Sequence, residues 1–318
     1  MKHIFSGMIP LDLPANPICH NAIYSEQKMQ DYSHIQKPDL GYPYEFGTDE
    51  LDRMDACLEA HGFAIIKNAL PEEIVERLKQ AVYYGTDPEG TLEKGQSRTR
   101  HAWIESGVGA WSLMDYEPFM DLHRHLIGTD QLTIHRSAAI IRMPGSQPVA
   151  WHTDWGGFHT GVPKNSGHVL NSGPWPSGKW FYLTGSRPMH GGLCVIEDSH
   201  LEDWQGPEGF NLTANRSSFY PQGEEESSYA GFDIPGLVPL FTNGGDMIVF
   251  AHRTYHGAFP NRSAETRLSC AIGFRDKNHK IDIPWDIPEA GQWFLENLPE
   301  HLQQYLDGYT SINLEWKG

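Results

Sequence analysis

The sequence lacks the cysteine pairs that mark disulfide frameworks and zinc-thiolate sites. Its four cysteines are widely separated and form no CxxC pair: Cys19, Cys57, Cys194 and Cys270. Both kinds of site need matched or closely spaced cysteines, so neither is expected to organise this protein. Scattered single cysteines instead predict reduced thiols and a cytoplasmic protein.

Long apolar runs and an excess of positive charge are missing too. No stretch approaches the roughly 18 consecutive apolar residues of a membrane span, and Pro10, Pro14 and Pro17 interrupt any apolar segment of a signal peptide. The 318 residues include 24 Lys and Arg against 41 Asp and Glu, a net charge of −17. Such a charge disfavours nucleic acid and anionic membranes as partners. A small-molecule substrate is therefore predicted, with the oligomeric state left open.

The pattern along the chain predicts one catalytic domain over residues 48–318, preceded by an extended segment over residues 1–47. Helices are predicted from Asp49 and Pro71, on either side of a short strand, Phe63–Ile66. After residue 130, short β-branched and aromatic runs alternate with turn residues, which is typical of an all-β sandwich or barrel. The predicted strands are Ala138–Met143, Val149–His152, Trp180–Leu183, Leu193–Ile196, Met247–Phe250 and Leu268–Phe274. Polar loops near 155–178 and 201–235 are predicted lids, and a C-terminal helix is predicted around Gln292–Tyr305.

A candidate metal motif follows the second of these strands. His152 and Asp154 are two residues apart, so on a strand they face the same side. In a chain with 17 histidines this motif alone is weak. A second histidine, His256, follows an apolar strand and would complete the 2-His-1-carboxylate triad of non-haem iron(II) oxygenases.

A candidate carboxylate anchor lies eleven residues beyond His256. Arg267 and Ser269 alternate with Leu268, so a guanidinium and a hydroxyl face the same side of a strand. Arginine binds carboxylates through two parallel hydrogen bonds. Alone, the pair would more simply be a surface charge and an ordinary strand residue, but its position after the three metal candidates favours a functional role.

This order of motifs resembles the double-stranded β-helix oxygenases that use iron and 2-oxoglutarate, and more narrowly the phytanoyl-CoA dioxygenase-like family. Gly191–His200 is similar to a stretch of that family, although His190 and the pair Glu197-Asp198 depart from the pattern. A second stretch of the family is similar to the segment from Gly245-Asp246 through Gly257, followed by Asn261-Arg262-Ser263. The resemblance covers roughly residues 50–275.

The resemblance implies a mainly β, jelly-roll or cupin-like core with N-terminal helical decoration. It implies iron(II) on His152, Asp154 and His256, with 2-oxoglutarate and O2 as cosubstrates. The distal carboxylate of 2-oxoglutarate would pair with Arg267 and Ser269, and Trp180 and Tyr182 would line it. The expected reaction is hydroxylation, desaturation or cyclisation of a small metabolite with release of succinate and CO2. Because related halogenases lack the carboxylate, Asp154 disfavours halogenation.

Five further residues are candidates for substrate contacts. Four lie on the loop after the metal motif and either line a pocket or simply fix the loop: Trp155, Phe158, His159 and Trp175. The fifth, Arg100, belongs to the densest basic run and either meets a substrate anion or lies in a solvated loop.

Two other functions fit parts of the pattern. A zinc hydrolase or a cupin-type isomerase uses the same three ligands, but neither needs a buried carboxylate anchor such as Arg267 and Ser269. A non-catalytic binding protein on the same fold is free to lose a ligand, and all three candidates are present.

Overall fold

The structure is a computed structural model and describes residues 31–154, 176–201, 203–278, 283 and 285–311. The α-helices are α1 (Leu51–His61), α2 (Glu72–Thr86), α3 (Val108–Trp111), α4 (Glu117–Ile127) and α5 (Glu289–Asn297), with 3-10 helices at Trp103–Ser106 and Glu300–Tyr305. The strands are β1 (Glu45–Phe46), β2 (Phe63–Ile66), β3 (Ser97–His101), β4 (Leu132–Arg142), β5 (Val149–His152), β6 (Pro176–Tyr182), β7 (Leu193–Ile196), β8 (Phe210–Leu212), β9 (Phe219–Pro221), β10 (Leu237–Pro239), β11 (Met247–Ala251), β12 (His256–Ala258) and β13 (Arg267–Asp276).

Most strands belong to two sheets that face each other. The larger has the order β1-β2-β11-β6-β13-β4-β3 and the smaller β10-β7-β12-β5. Contacts between them include the ring of Phe250 on β11, which lies 4.5 Å from the ring of His256 on β12. Arg267 on β13 donates a hydrogen bond to the carbonyl of Gly191, just before β7. The predicted mainly β, double-stranded β-helix fold with flanking helices is confirmed.

Helices cover the outer face of the larger sheet. The ring of Phe119 on α4 lies 6.1 Å from Phe181 and 6.2 Å from Phe274, on β6 and β13. The predicted helix–strand–helix opening is present as α1, β2 and α2. Helix α1 ends where Gly62 adopts a left-handed φ of 80°, and its amide closes on the carbonyl of Leu58. Every residue of β2 is buried, so this short strand anchors the opening to the sheet.

Several predicted boundaries were wrong. Strand β6 begins at Pro176, four residues before the predicted Trp180. Strand β4 begins at Leu132, six residues before the predicted start, and includes the polar pair His135-Arg136. Pro71 precedes α2 in an extended conformation instead of forming its first turn. The predicted C-terminal helix is two helices, because Leu298 is extended and Pro299 has no amide hydrogen to continue α5.

Part of the predicted N-terminal segment lies among the described residues. Tyr32 is buried in an edge-on contact with the rings of Phe232 and Phe259. The loop predicted at 201–235 contains the hairpin β8–β9. None of the helices in the described ranges is long and apolar enough to cross a membrane.

Candidate metal centre

The two histidines of the predicted triad lie on neighbouring strands of the smaller sheet. His152 ends β5 and His256 begins β12, and the two are directly paired across the antiparallel ladder. Paired residues of a ladder project to the same face, and the ring centroids are 4.2 Å apart. The sequence separates these residues by about a hundred positions, and the sheet brings them together.

Strand β5 is held in place by hydrogen bonds of Trp151 and Thr153, the residues on either side of His152. The Trp151 indole is fully buried and donates to the carbonyl of Gly231 at 2.8 Å. Its own carbonyl accepts from the Ser218 hydroxyl at 2.6 Å, and the Thr153 amide donates to Ser217. These bonds anchor the residues on both sides of His152.

Both imidazoles are oriented for metal binding through Nε2. The Nδ1 atom of His152 lies 2.8 Å from the carbonyl oxygen of Ala150, and that of His256 lies 3.0 Å from that of Thr254. A hydrogen bond from Nδ1 to a carbonyl places the lone pair on Nε2, as is usual for metal-binding histidines. Each ring is therefore fixed in the tautomer that a metal requires.

The carboxylate of Asp154 completes the group. Its Oδ1 lies 4.0 Å from the Nε2 of His256, and one ligand atom from each of the three residues lies within 4.8 Å of the others. Burial, followed by the nearby His152, lowers the pKa of His256 to about 4. A neutral imidazole at physiological pH is the form that binds a metal. The donor set fits a divalent metal with open coordination positions.

The predicted carboxylate anchor lies deep between the sheets. Arg267 is 1% exposed and donates to the carbonyl of Gly191 at 2.8 Å and to the hydroxyl of Ser269 at 3.2 Å. Its guanidinium lies 4.6 Å from the ring centroid of Tyr182, while its Nε has no hydrogen-bond partner in the described part of the chain. Trp180 is two residues before Tyr182 on β6 and shares its face.

A second buried arginine lies beside the first. Arg142 on β4 is paired with Arg267 across the ladder, and its Nη1 has no hydrogen-bond partner among the residues that the structure describes. Its Nη2 donates to the carbonyl of Gln147. Burial, followed by the charge of Arg267, lowers the pKa of Arg142 to about 9. Among the described residues no carboxylate lies within ion-pair distance of either guanidinium, so the pair suits an anionic ligand.

Of the five residues predicted to contact a substrate, the structure describes only Arg100. Trp155, Phe158, His159 and Trp175 lie outside the described residues. Arg100 lies on β3, where the acidic group that acts on it is Glu105. The next residue, His101, is the one that interacts with Asp154 and Arg136. Because neighbouring residues of a strand face opposite sides, Arg100 and His101 do not share a face of β3, and the contact of Arg100 with a substrate stays a prediction.

The structure adds residues that the sequence did not indicate. Arg136 on β4 places its Nη2 3.8 Å from Oδ2 of Asp154. His101 and His252 both interact with Asp154 and Arg136, and Lys179 lies next to Arg136. Arg136 and Arg142 are six residues apart, so on one regular strand they would share a face. This signal was not used, because the predicted strand began only at Ala138.

The family model described as Phytanoyl-CoA dioxygenase (PhyH) matches residues 58–269, more than half of the chain. The chain belongs to the phytanoyl-CoA dioxygenase family. It is therefore a 2-oxoglutarate-dependent dioxygenase with a non-haem iron centre, whose cofactors are iron(II) and 2-oxoglutarate with O2. A search of curated proteins gives no match.

Solved structures with a similar fold include other 2-oxoglutarate enzymes. HygX from Streptomyces hygroscopicus, with nickel and 2-oxoglutarate bound, has a TM-score of 0.53 at 18% identity over 70% of this chain and 86% of that chain. EctD from S. alaskensis, in its apo form, has a TM-score of 0.52 at 17% identity over 74% and 81%. The epimerase SnoN, in complex with Fe³⁺, alpha ketoglutarate and nogalamycin RO, has a TM-score of 0.51 at 18% identity over 83% and 94%.

Proposed function

We propose that His152, Asp154 and His256 bind the iron and that the enzyme hydroxylates a small metabolite with release of succinate and CO2. The observation that carries this proposal is the convergence of two Nε2 atoms and one carboxylate on a single face. Desaturation and ring closure use the same centre and are alternative outcomes. When bound, the iron with 2-oxoglutarate and O2 supplies the oxidising power of the reaction.

The buried arginines would bind the cosubstrate. Arg267, with the Ser269 hydroxyl, would hold the distal carboxylate of 2-oxoglutarate, and the free donors of Arg267 and Arg142 support this assignment. Tyr182 and Trp180 would line the carbon chain and exclude water. A bidentate arginine contact fixes orientation as well as affinity, so the keto acid end would be directed towards the metal.

The alternatives from the sequence are less well supported. A zinc hydrolase or cupin-type isomerase leaves two buried arginines without an anion to bind, which is energetically costly. A non-catalytic binding protein does not require both imidazoles to be fixed in the ligand tautomer. HygX and SnoN have been solved with hygromycin B and nogalamycin RO bound, respectively, which supports a small-molecule substrate for this chain as well.

Two assignments concern the rest of the chain. Residues 48–318 are proposed as the catalytic domain, with a lid near 201–235, whereas most of the other predicted lid, 155–178, lies outside the described residues. A cytoplasmic location is supported by three buried cysteines that are not in disulfides: Cys57, Cys194 and Cys270.

Anaerobic titration tests the proposed function directly. Iron(II) and 2-oxoglutarate should together give the visible charge-transfer band of the chelate, and the band should be absent in His152→Ala and Asp154→Ala. Thr99→Ser, a small change on β3, is the matched control. Formation of the band in both ligand variants, or tight binding of 2-oxoglutarate to Arg267→Gln, would contradict the assignment of the site.

A further inference from the structure

The two carboxylate oxygens of Asp154 face different neighbours. Oδ1 lies 4.0 Å from Nε2 of His256, on the side where the three candidate ligands converge. Oδ2 lies 3.8 Å from Nη2 of Arg136, which belongs to β4 in the larger sheet. One oxygen therefore faces the metal centre, and the other faces an arginine that reaches it from the opposite sheet.

Strand pairing does not by itself fix the orientation of this carboxylate. Strand β5 ends at His152, two residues before Asp154, and the Thr153 amide donates to the carbonyl of Ser217 at 2.9 Å. These contacts place the backbone, but the carboxylate can still rotate about its own side-chain bonds. An ion pair with a guanidinium restricts that rotation, because a charged contact of this kind has a preferred direction as well as strength.

A β-bulge lies where Arg136 turns towards Asp154. Arg136 is paired with Gly273, but the next residue of β13 is paired with Ile134, so His135 is an extra residue of β4. Bulges redirect neighbouring side chains and are frequent beside active sites. A Cβ atom added to Gly273 would lie 3.9 Å from Cγ of Arg136, so the stem of the arginine lies over a residue that has no side chain.

The ion pair of Arg136 and Asp154 is largely removed from water. The side chain of Arg136 is 17% exposed and that of Asp154 is 14% exposed. Solvent and salt screen such a pair much less than an ion pair on the surface. Separating the partners of a buried ion pair is costly, so we expect Oδ2 to stay at the arginine when a metal ion binds at Oδ1.

We propose that Arg136 is a positioning residue, which holds Oδ2 of Asp154 so that the metal is bound through Oδ1 alone. This proposal rests on the proposed function, because it takes His152, Asp154 and His256 as the ligands of the iron. It adds the binding mode of the carboxylate, in which Asp154 contributes one ligand atom and not two.

The binding mode decides how many positions the metal has for other ligands. A carboxylate binds an ion through one oxygen or through both. Two imidazoles and one carboxylate oxygen leave half of an octahedral ion open, and the keto acid end of 2-oxoglutarate occupies two of those positions. The second oxygen of Asp154 would fill the last one. By holding that oxygen, Arg136 keeps a position available for O2.

The number of water molecules on bound manganese tests the binding mode. The protein is loaded with Mn(II), and the waters on the ion are counted from the broadening of its EPR lines by ¹⁷O-water. The wild type should hold about three waters, and about one after 2-oxoglutarate is added. In Arg136→Met each count should fall by about one, because Oδ2 of Asp154 is then free to bind the ion. Arg136→Lys keeps the positive charge and should restore the wild-type counts.

Arg98→Met is the matched control. Arg98 on β3 forms another partly buried ion pair, in which its Nη1 lies 2.6 Å from Oδ1 of Asp87. It is paired with Ile141, five residues from Arg136 along β4, so it lies on the other face of the sheet. This variant also loses an arginine and an ion pair, but it should keep the wild-type water counts. Thermal unfolding of both variants shows whether their stabilities are comparable.

Unchanged water counts in Arg136→Met would overturn the positioning role, and so would an equal fall in Arg98→Met, since lost stability would then explain both. A wild-type count of about two before 2-oxoglutarate is added would overturn it even if Arg136→Met does not fold, because both oxygens would then bind the metal beside an intact arginine. Failure of Mn(II) to bind the wild type, or undiminished binding to His152→Ala, would instead contradict the proposed function itself.

Discussion

At the scale of single residues, the position of Arg267 explains why a lysine would not replace it. Its guanidinium already uses one N–H on Gly191 and one on Ser269, and its Nε has no hydrogen-bond partner among the described residues. A lysine offers a single ammonium group without the planar fork that matches a carboxylate. The local geometry thus selects both the charge and the shape of the side chain.

Arg267→Lys should therefore weaken 2-oxoglutarate binding by roughly ten- to a hundredfold, the value of one or more charged hydrogen bonds. Anaerobic titration of the iron(II) chelate measures the change. Ser269→Ala should have a smaller effect, because a neutral hydrogen bond contributes only ~1 kcal/mol. Metal affinity without 2-oxoglutarate should be the same in both variants, and a large loss of it would show that Arg267 supports the fold instead.

His123 gives a prediction on stability. It lies on α4 and is fully buried, and its Nδ1 lies 2.9 Å from the carbonyl oxygen of Phe119. Burial, followed by the charge of Lys179, lowers its pKa to about 3. An unfolded histidine takes up its proton near pH 6.5. Between these values the unfolded state binds more protons, so stability is present above pH 6.5 and is lost as the pH falls.

His123→Leu removes this contribution. From pH 7.5 to pH 5 the wild type should lose about 2 kcal/mol of unfolding free energy more than the variant, following the ~1.4 kcal/mol per pKa unit of linkage. Denaturant unfolding at the two pH values measures the difference. Equal losses in both proteins would mean that His123 is protonated in the folded state.

At the scale of elements, sequence patterns predicted β5 and β7 to the residue, because short apolar runs between turn residues specify buried strands. The first half of β4 was missed, since His135 and Arg136 interrupt its apolar pattern where a bulge opposes Gly273 and Phe274. Arg136, whose Nη2 lies 3.8 Å from Oδ2 of Asp154, was missed with it. His101, which interacts with Asp154, carried no sequence signal of its own, because the basic run that drew attention to Arg100 does not show which face of β3 each residue occupies.

Gly257 allows the close approach of β12 and β5, the two strands that carry the histidines of the metal site. It lies on β12 beside His256, and a Cβ there would lie 3.1 Å from the carbonyl oxygen of Val149 and 3.4 Å from the ring of Trp151. Both belong to β5, which carries His152. Backbone atoms cannot rotate away as a flexible side chain can, so an added methyl group should push the two ligand strands apart.

Gly257→Ala should lower metal affinity several-fold and cost about 1–3 kcal/mol of stability, the range for overpacking a filled site. Metal titration and thermal unfolding measure the two effects. Val149→Thr, a change of similar volume at a half-exposed neighbouring position, should alter neither. Wild-type metal affinity in Gly257→Ala would show that the spacing of β5 and β12 does not control the site.

At the scale of the whole molecule, the buried charges are opposite in sign to the net charge of the chain. The chain carries −17, yet three cations are buried among the strands, Arg142, Lys179 and Arg267, and a fourth, Arg136, lies beside Asp154. An anionic ligand is therefore repelled by the molecule at long range and attracted by the site at short range. Salt separates these effects, because it screens exposed charges over about 8–10 Å and affects buried pairs much less.

The association rate of 2-oxoglutarate should therefore rise several-fold between 10 and 150 mM salt, as the repulsion of its two charges by the surface is screened. Its dissociation rate should change little, because the Arg267 contact is only 1% exposed. Stopped-flow mixing of the anaerobic iron(II) enzyme with 2-oxoglutarate gives both rates, with acetate and chloride salts compared to detect anion competition. An association rate that falls as salt is added would contradict this prediction. It would mean that the cations of the site attract 2-oxoglutarate before it binds and outweigh the negative charge of the surface.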